Sequence, residues 1–126
     1  GTYAGRRNEV FAAWKPAIAE LAQYPNVVAK VGGIQMVVNG YGWHERAAPP
    51  SSDELVAANQ DWYDYIIEQF GPQRCMFESN FPVDKLSCSY TVLWNQFKKL
   101  TKGYSANERA AMFHDTAKRV YRLPQV

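Results

Sequence analysis

The chain has 126 residues, 47% hydrophobic and 21% charged, a size and balance that specify one globular domain (residues 1–126) and exclude disorder. A net charge of +2 with no block of five like charges gives no footing for nucleic acid. The longest apolar stretch, residues 27–38, carries Lys30 and Gln35 and is too short to span a bilayer, so no membrane partner is expected.

From Asn8 to Tyr24, Val10, Trp14, Ile18 and Leu21 recur at helical spacing with Glu9, Lys15 and Glu20 between them, which predicts a helix. Pro16 predicts a kink or restart within it. Residues 27–31 (Val-Val-Ala-Lys-Val) read as a strand closed by Gly32-Gly33, apolar enough to be covered on both faces as in a parallel sheet. Residues 34–50 form a connection of functional length. Ser51 and Glu54 make a capping-box signature for a helix whose apolar face is Leu55, Trp62, Tyr63, Ile66, Ile67 and Phe70, stopped by Gly71-Pro72. Arg74 to Phe77 is a second short strand, and residues 78–84 turn away from it. A third helix runs from Ser89 to Leu100. Ser105 and Glu108 cap a last helix presenting Ala110, Phe113, Ala117, Val120 and Tyr121.

Strands alternating with helices specify an α/β fold with parallel strands. Two strands are too few for a stable parallel sheet. Sheet partners are therefore expected from sequence upstream of Gly1, where the opening Gly-Thr-Tyr-Ala-Gly-Arg-Arg reads as a continued loop without a signal peptide, or from a second copy. Cys75 and Cys88 form no redox or metal spacing and fit a reducing, cytoplasmic setting.

The strongest local signal is Arg74-Cys-Met-Phe-Glu-Ser-Asn-Phe-Pro-Val-Asp84, in which a buried strand delivers polar residues into a Pro-containing turn. Polar side chains at the C-terminal ends of parallel strands face the crevice where α/β proteins bind ligands. The competing reading is an ordinary capped strand end, with Ser79 and Asn80 bonding the turn.

This motif resembles the last-strand motif of the second amidohydrolase family, lactonase- and decarboxylase-like metal-dependent enzymes on a (β/α)8 TIM barrel. Pro25 to Gly33 is similar to that family's seventh strand, and Ala117 to Leu123 to its closing helix. The resemblance implies an incomplete barrel: the C-terminal portion, with two parallel strands and about four helices, of a barrel that needs about 250 residues. It also implies a parent hydrolase acting on a small, carboxylated lactone or related C–O or C–N substrate. A divalent metal such as zinc would serve that parent, with none expected on this chain alone.

By the same resemblance Asn80 occupies the family's acidic position, a metal ligand or general base, and Glu78 replaces a glycine. An amide oxygen can ligate a hard cation but takes no proton at neutral pH. Asn80 and Glu78 are the catalytic candidates, with Asn80 as the candidate metal ligand. Lys30, Trp43, His44 and Arg46 are candidates for substrate binding, Arg46 as a carboxylate clamp. The family's histidine ligands would lie upstream; the chain's two histidines are His44, in the long loop, and His114, read as structural. The chain alone is expected to be inactive and to self-associate or pair with barrel segments. The rival reading is a non-catalytic α/β module or oligomerising domain. Period-two alternation further predicts that Lys30 and Glu78 face inward as an ion pair on neighbouring strands.

Overall fold

The computed structural model describes residues 1–124. Helix α1 spans Arg7–Ala22, strand β1 Ala29–Val31, α2 Ser52–Phe70, β2 Cys75–Phe77 and α3 Tyr90–Leu100. The last helical segment is divided into α4, Ala106–Ala110, a π-helical turn at Ala111–Asp115, and α5, Thr116–Val120. β1 and β2 are parallel, with Ala29 opposite Cys75, Lys30 opposite Met76 and Val31 opposite Phe77. Among the described residues the sheet has two strands and is not closed, an α/β arrangement consistent with part of a (β/α)8 barrel.

The core lies between the sheet and the helices. Val31, Cys75 and Phe77 meet Leu55, Tyr63 and Ile67 of α2, Leu93 and Phe97 of α3, and Met112. Both capping boxes form, with Glu54 N–H donating to Ser51 Oγ at 3.2 Å and Glu108 N–H to Ser105 Oγ at 3.3 Å. Each removes donors that a helix start otherwise leaves unpaired.

Helix α1 runs through Pro16 as one element instead of restarting. Contacts on both sides of the proline override its local preference: after it, Ala22 joins the core and Ile18 packs against that core. Before it, Phe11 and Trp14 pack on Trp62, and Tyr65 Oη donates to the Lys15 carbonyl at 3.0 Å. Leu21, expected on the buried face, is 45% exposed because the helix ends one residue later.

The last helix also departs from its expected face. Ala111, Met112 and Thr116 are buried, whereas Ala110, Val120 and Tyr121 are exposed. The π turn inserts a residue into the helical repeat, so a pattern read at a uniform 3.6 period loses phase across it.

The 34–50 connection is ordered by polar contacts. Gln35 is wholly buried, its Nε2 donating to Gln96 Oε1 at 2.6 Å, while Ser87 Oγ donates to its carbonyl at 2.6 Å. Arg74 fastens the opposite end of the sheet. Its guanidinium donates to the carbonyls of Ala22, Tyr24, Val27 and Phe70.

Candidate active site at the strand ends

Both strands deliver their C-terminal ends to the same edge of the sheet, β1 into Gly32-Gly33 and β2 into Glu78-Ser79-Asn80. These ends interlock. A Cβ on Gly32 would lie 2.3 Å from the Glu78 carbonyl oxygen and 2.9 Å from its Oε1. A Cβ on Gly33 would lie 3.4 Å from Asn80 Nδ2, and Gly33 has φ +75°. The glycine pair is thus what allows the polar turn of β2 to fold over β1.

Glu78 does not pair with Lys30; neither side chain enters an ion pair among the described residues. The register explains the failure. Lys30 lies opposite Met76, two residues short of Glu78, and the ladder ends at Phe77. Glu78 turns back on its own loop instead, where Oε2 accepts the Asn80 N–H at 2.7 Å. Ala29 and Val31 are buried on one face, as the alternation predicts, and Lys30 between them is exposed.

Asn80 adopts φ +51°, a left-handed conformation that asparagine tolerates better than most residues. Its Nδ2 donates to Asp84 Oδ1 at 2.9 Å, and its amide oxygen accepts no hydrogen bond from the described residues. Asp84 is wholly buried, and its Oδ2 has no partner among the described residues. Burial pushes its carboxyl up to about 6, against the Asn80 hydrogen bond, which lowers it; the nearby Glu78 charge adds to the rise. Sequence reasoning missed Asp84 as a site residue. The available signal was its place four residues after Asn80 across a turn, which allows the two side chains to meet.

Lys30 lines a cavity of about 400 Å³ between α1 and β1, together with Arg7, Trp14, Gly33, Tyr41 and Trp62. The other candidates do not line it. Trp43 is buried and stacked on Tyr41, with ring centroids 4.2 Å apart. His44 Nε2 lies 3.5 Å from Glu45 Oε1. Arg46 meets a carboxylate of its own chain, Glu54, at 3.0 Å. His114, read as structural, is exposed beside Asp115 on the π turn. Among the described residues no three His, Cys, Asp or Glu side chains converge to hold a metal, and no helix is long and apolar enough to cross a membrane.

Known proteins are similar to this chain. An uncharacterised protein, y4mH, of Sinorhizobium fredii is 43% identical over 113 residues, which cover 90% of this chain and 34% of that protein. An L-fucono-1,5-lactonase of Burkholderia multivorans is 35% identical over 121 residues, 95% of this chain and 38% of the lactonase. A crystal structure of a Burkholderia multivorans amidohydrolase with bound zinc superposes with a TM-score of 0.79 at 32% identity, covering 98% of this chain and 41% of that one. The same kind of match, TM-score 0.78 at 33% identity, is made by a Burkholderia multivorans amidohydrolase with bound HEPES, over 94% of this chain and 40% of that one. The chain therefore spans about two fifths or less of the relatives it matches. The amidohydrolase family profile matches residues 1–123, taking in both strands, the interlocked turn and the last helix, and the chain belongs to that family.

Proposed function

We propose that this chain supplies the last two strand ends of the active site of a metal-dependent hydrolase that opens a lactone, or a related C–O or C–N bond, in a small carboxylated metabolite. The observation that carries the reading is the Glu78–Asn80–Asp84 turn, a buried carboxylate and an amide oxygen free of hydrogen bonds from the described residues, at the C-terminal end of a parallel strand. Support for the lactone comes from the similarity to the L-fucono-1,5-lactonase, and for zinc from the relative with zinc bound.

Oxygen donors suit this role in part. The Asn80 amide oxygen is unengaged and Glu78 stands two residues away, a pair that can serve a divalent cation but not complete its ligand set. When bound, such an ion polarises the substrate carbonyl and acidifies water. Lys30, exposed on the cavity wall, would attract the substrate carboxylate. Loop residue His44 would approach the substrate from the long connection. Trp43 would hold that loop down, and Arg46, tied to Glu54, would fix its exit.

The remaining ligands and strands would come from other segments. Among the described residues no strand pairs with the outer edges of β1 and β2, so residues 1–126 alone would be inactive and would self-associate or pair with those segments. Two buried free thiols support a cytoplasmic setting.

The test is hydrolysis by the full-length protein of a panel of sugar and dicarboxylate lactones, metal-depleted and zinc-reconstituted. Zinc-stimulated turnover is expected, falling about 100-fold in Asn80→Ala, the scale of losing one polar group that acts on the reacting centre. Absence of turnover across the panel, or turnover indifferent to chelation, would refute the reading. For residues 1–126 alone, light scattering should show species larger than a monomer.

A further inference from the structure

We propose that Asp84 is a positioning residue that holds the Asn80 side chain with its amide oxygen directed away from the core, so that Asn80 meets its ligand as an acceptor. The proposal deepens the hydrolase reading and rests on it for the identity of that ligand.

Four observations converge. Both nitrogens of Asn80 are taken by carboxylates, the backbone N–H by Glu78 Oε2 at 2.7 Å and Nδ2 by Asp84 Oδ1 at 2.9 Å. An ionised carboxylate only accepts, so the amide must turn its NH2 toward Asp84 and its oxygen the other way. Asp84 itself is fixed by the turn. Its N–H donates to the Asn80 carbonyl at 3.1 Å, and its own carbonyl accepts from the N–H groups of Ser87 and Cys88 at 2.9 and 3.0 Å. Gly33 closes the remaining side, close against the Asn80 amide.

The second carboxylate oxygen of Asp84 makes a purely structural role an expensive one. Oδ2 is buried without a partner among the described residues, which costs free energy that a serine in the same turn would avoid and a neutral asparagine would lessen. Among the described residues, the side-chain hydrogen-bond partner of Asp84 is Asn80. What the buried carboxylate adds over those neutral residues is a fixed polarity for the Asn80 amide. The strand end then offers an oxygen where the family places an acid, without that acid's charge or its capacity to take a proton. Asn80 can coordinate a cation or accept a hydrogen bond from a hydroxyl or water, while proton removal must fall to another group.

A polarity swap tests this in the full-length protein, using Asn80→Asp, Asp84→Asn and the double variant. Asn80→Asp sets two carboxylates face to face and should lower the melting temperature by about 5 °C or more. Asp84→Asn frees the amide to flip and should weaken zinc binding about tenfold and lower kcat more than it raises KM. In the double variant the amide introduced at position 84 donates to the carboxylate introduced at position 80, an oxygen again faces outward, and melting temperature and zinc affinity should both recover. If the double variant melts no higher than the sum of the single losses predicts, the pair is uncoupled and the proposal is overturned. An Asp84→Asn protein with altered melting but unchanged zinc affinity and kcat would make Asp84 a turn residue only, and also overturns it. Coupling in a protein that hydrolyses no lactone would sustain the Asp84–Asn80 assignment and refute the hydrolase reading alone.

Discussion

Gly32 leaves no room for a side chain beneath Glu78: a Cβ there would stand 2.3 Å from the Glu78 carbonyl oxygen. The obstructing atom belongs to the backbone, so the strands themselves must separate to admit a methyl group. Gly32→Ala should therefore destabilise the full-length protein by about 1–3 kcal/mol, the usual cost of overpacking. Chemical denaturation measures it, and a loss below about 0.5 kcal/mol would mean that the strand ends are not interlocked as described.

Arg74 joins the end of α1, the loop before β1 and the end of α2 through four carbonyls. Arg74→Ala should cost about 1–3 kcal/mol, since charge-assisted bonds to part-buried carbonyls are among the stronger ones. Arg74→Lys keeps the charge but loses the planar fork, and should recover less than half of that loss. Thermal melting of the three proteins decides. Equal stability of the lysine variant and the parent would show that charge alone suffices.

Gln35 and Gln96 bond each other inside the core, Gln35 also meets the Tyr63 hydroxyl at 3.2 Å, and Gln96 donates to the Leu55 carbonyl at 3.3 Å. Gln96→Leu should cost about 1–3 kcal/mol by leaving the buried Gln35 amide short of a partner. A double-mutant cycle with Gln35→Leu should show a coupling of about 0.5–3 kcal/mol. Additive losses would place the two amides out of contact.

Burial pushes the Cys75 thiol up to about 12 and the Cys88 thiol up to about 11. The thiolate is the reactive form, so neither cysteine should react with a disulfide reagent at pH 8 until the protein unfolds. The folded state also retains protons that the unfolded chain loses from about pH 8.5. Stability from this source is present below that pH and falls as pH rises toward 11, by about 1.4 kcal/mol per thiol per pH unit at most. Prompt labelling of the native protein at pH 8 would contradict both statements.

Features written in short stretches of sequence were readable from the sequence alone. The capping boxes at Ser51/Glu54 and Ser105/Glu108 form as their spacing requires, and the alternation across Ala29, Lys30 and Val31 orients β1 correctly. The polar turn after β2 was recognisable because a strand end, a proline and three polar residues fall together. What escaped depends on longer-range geometry. The bond between Gln35 and Gln96 spans 61 positions. The Lys30–Glu78 pair failed because pleat periodicity places residues on faces but does not fix register, and β2 ends one residue before Glu78. Asp84 was overlooked because its meeting with Asn80 depends on the left-handed backbone at Asn80, a property of one residue in three dimensions.

The π turn at Ala111–Asp115 has a consequence for how this segment tolerates changes in length. Each residue of an α-helix advances the chain by about 100°, so removing one from the turn would restore regular winding and rotate everything after it by that angle. Thr116 Oγ1 and Arg119 Nη2 both donate to the Gln73 carbonyl, at 3.2 and 2.5 Å, and both would swing away from it. The inserted residue thus works as a phase correction between two stretches of helix. Across homologues, a deletion here should be accompanied by a compensating insertion before Thr116 or by loss of both anchors on Gln73, a pattern of paired indels rather than of conserved side chains.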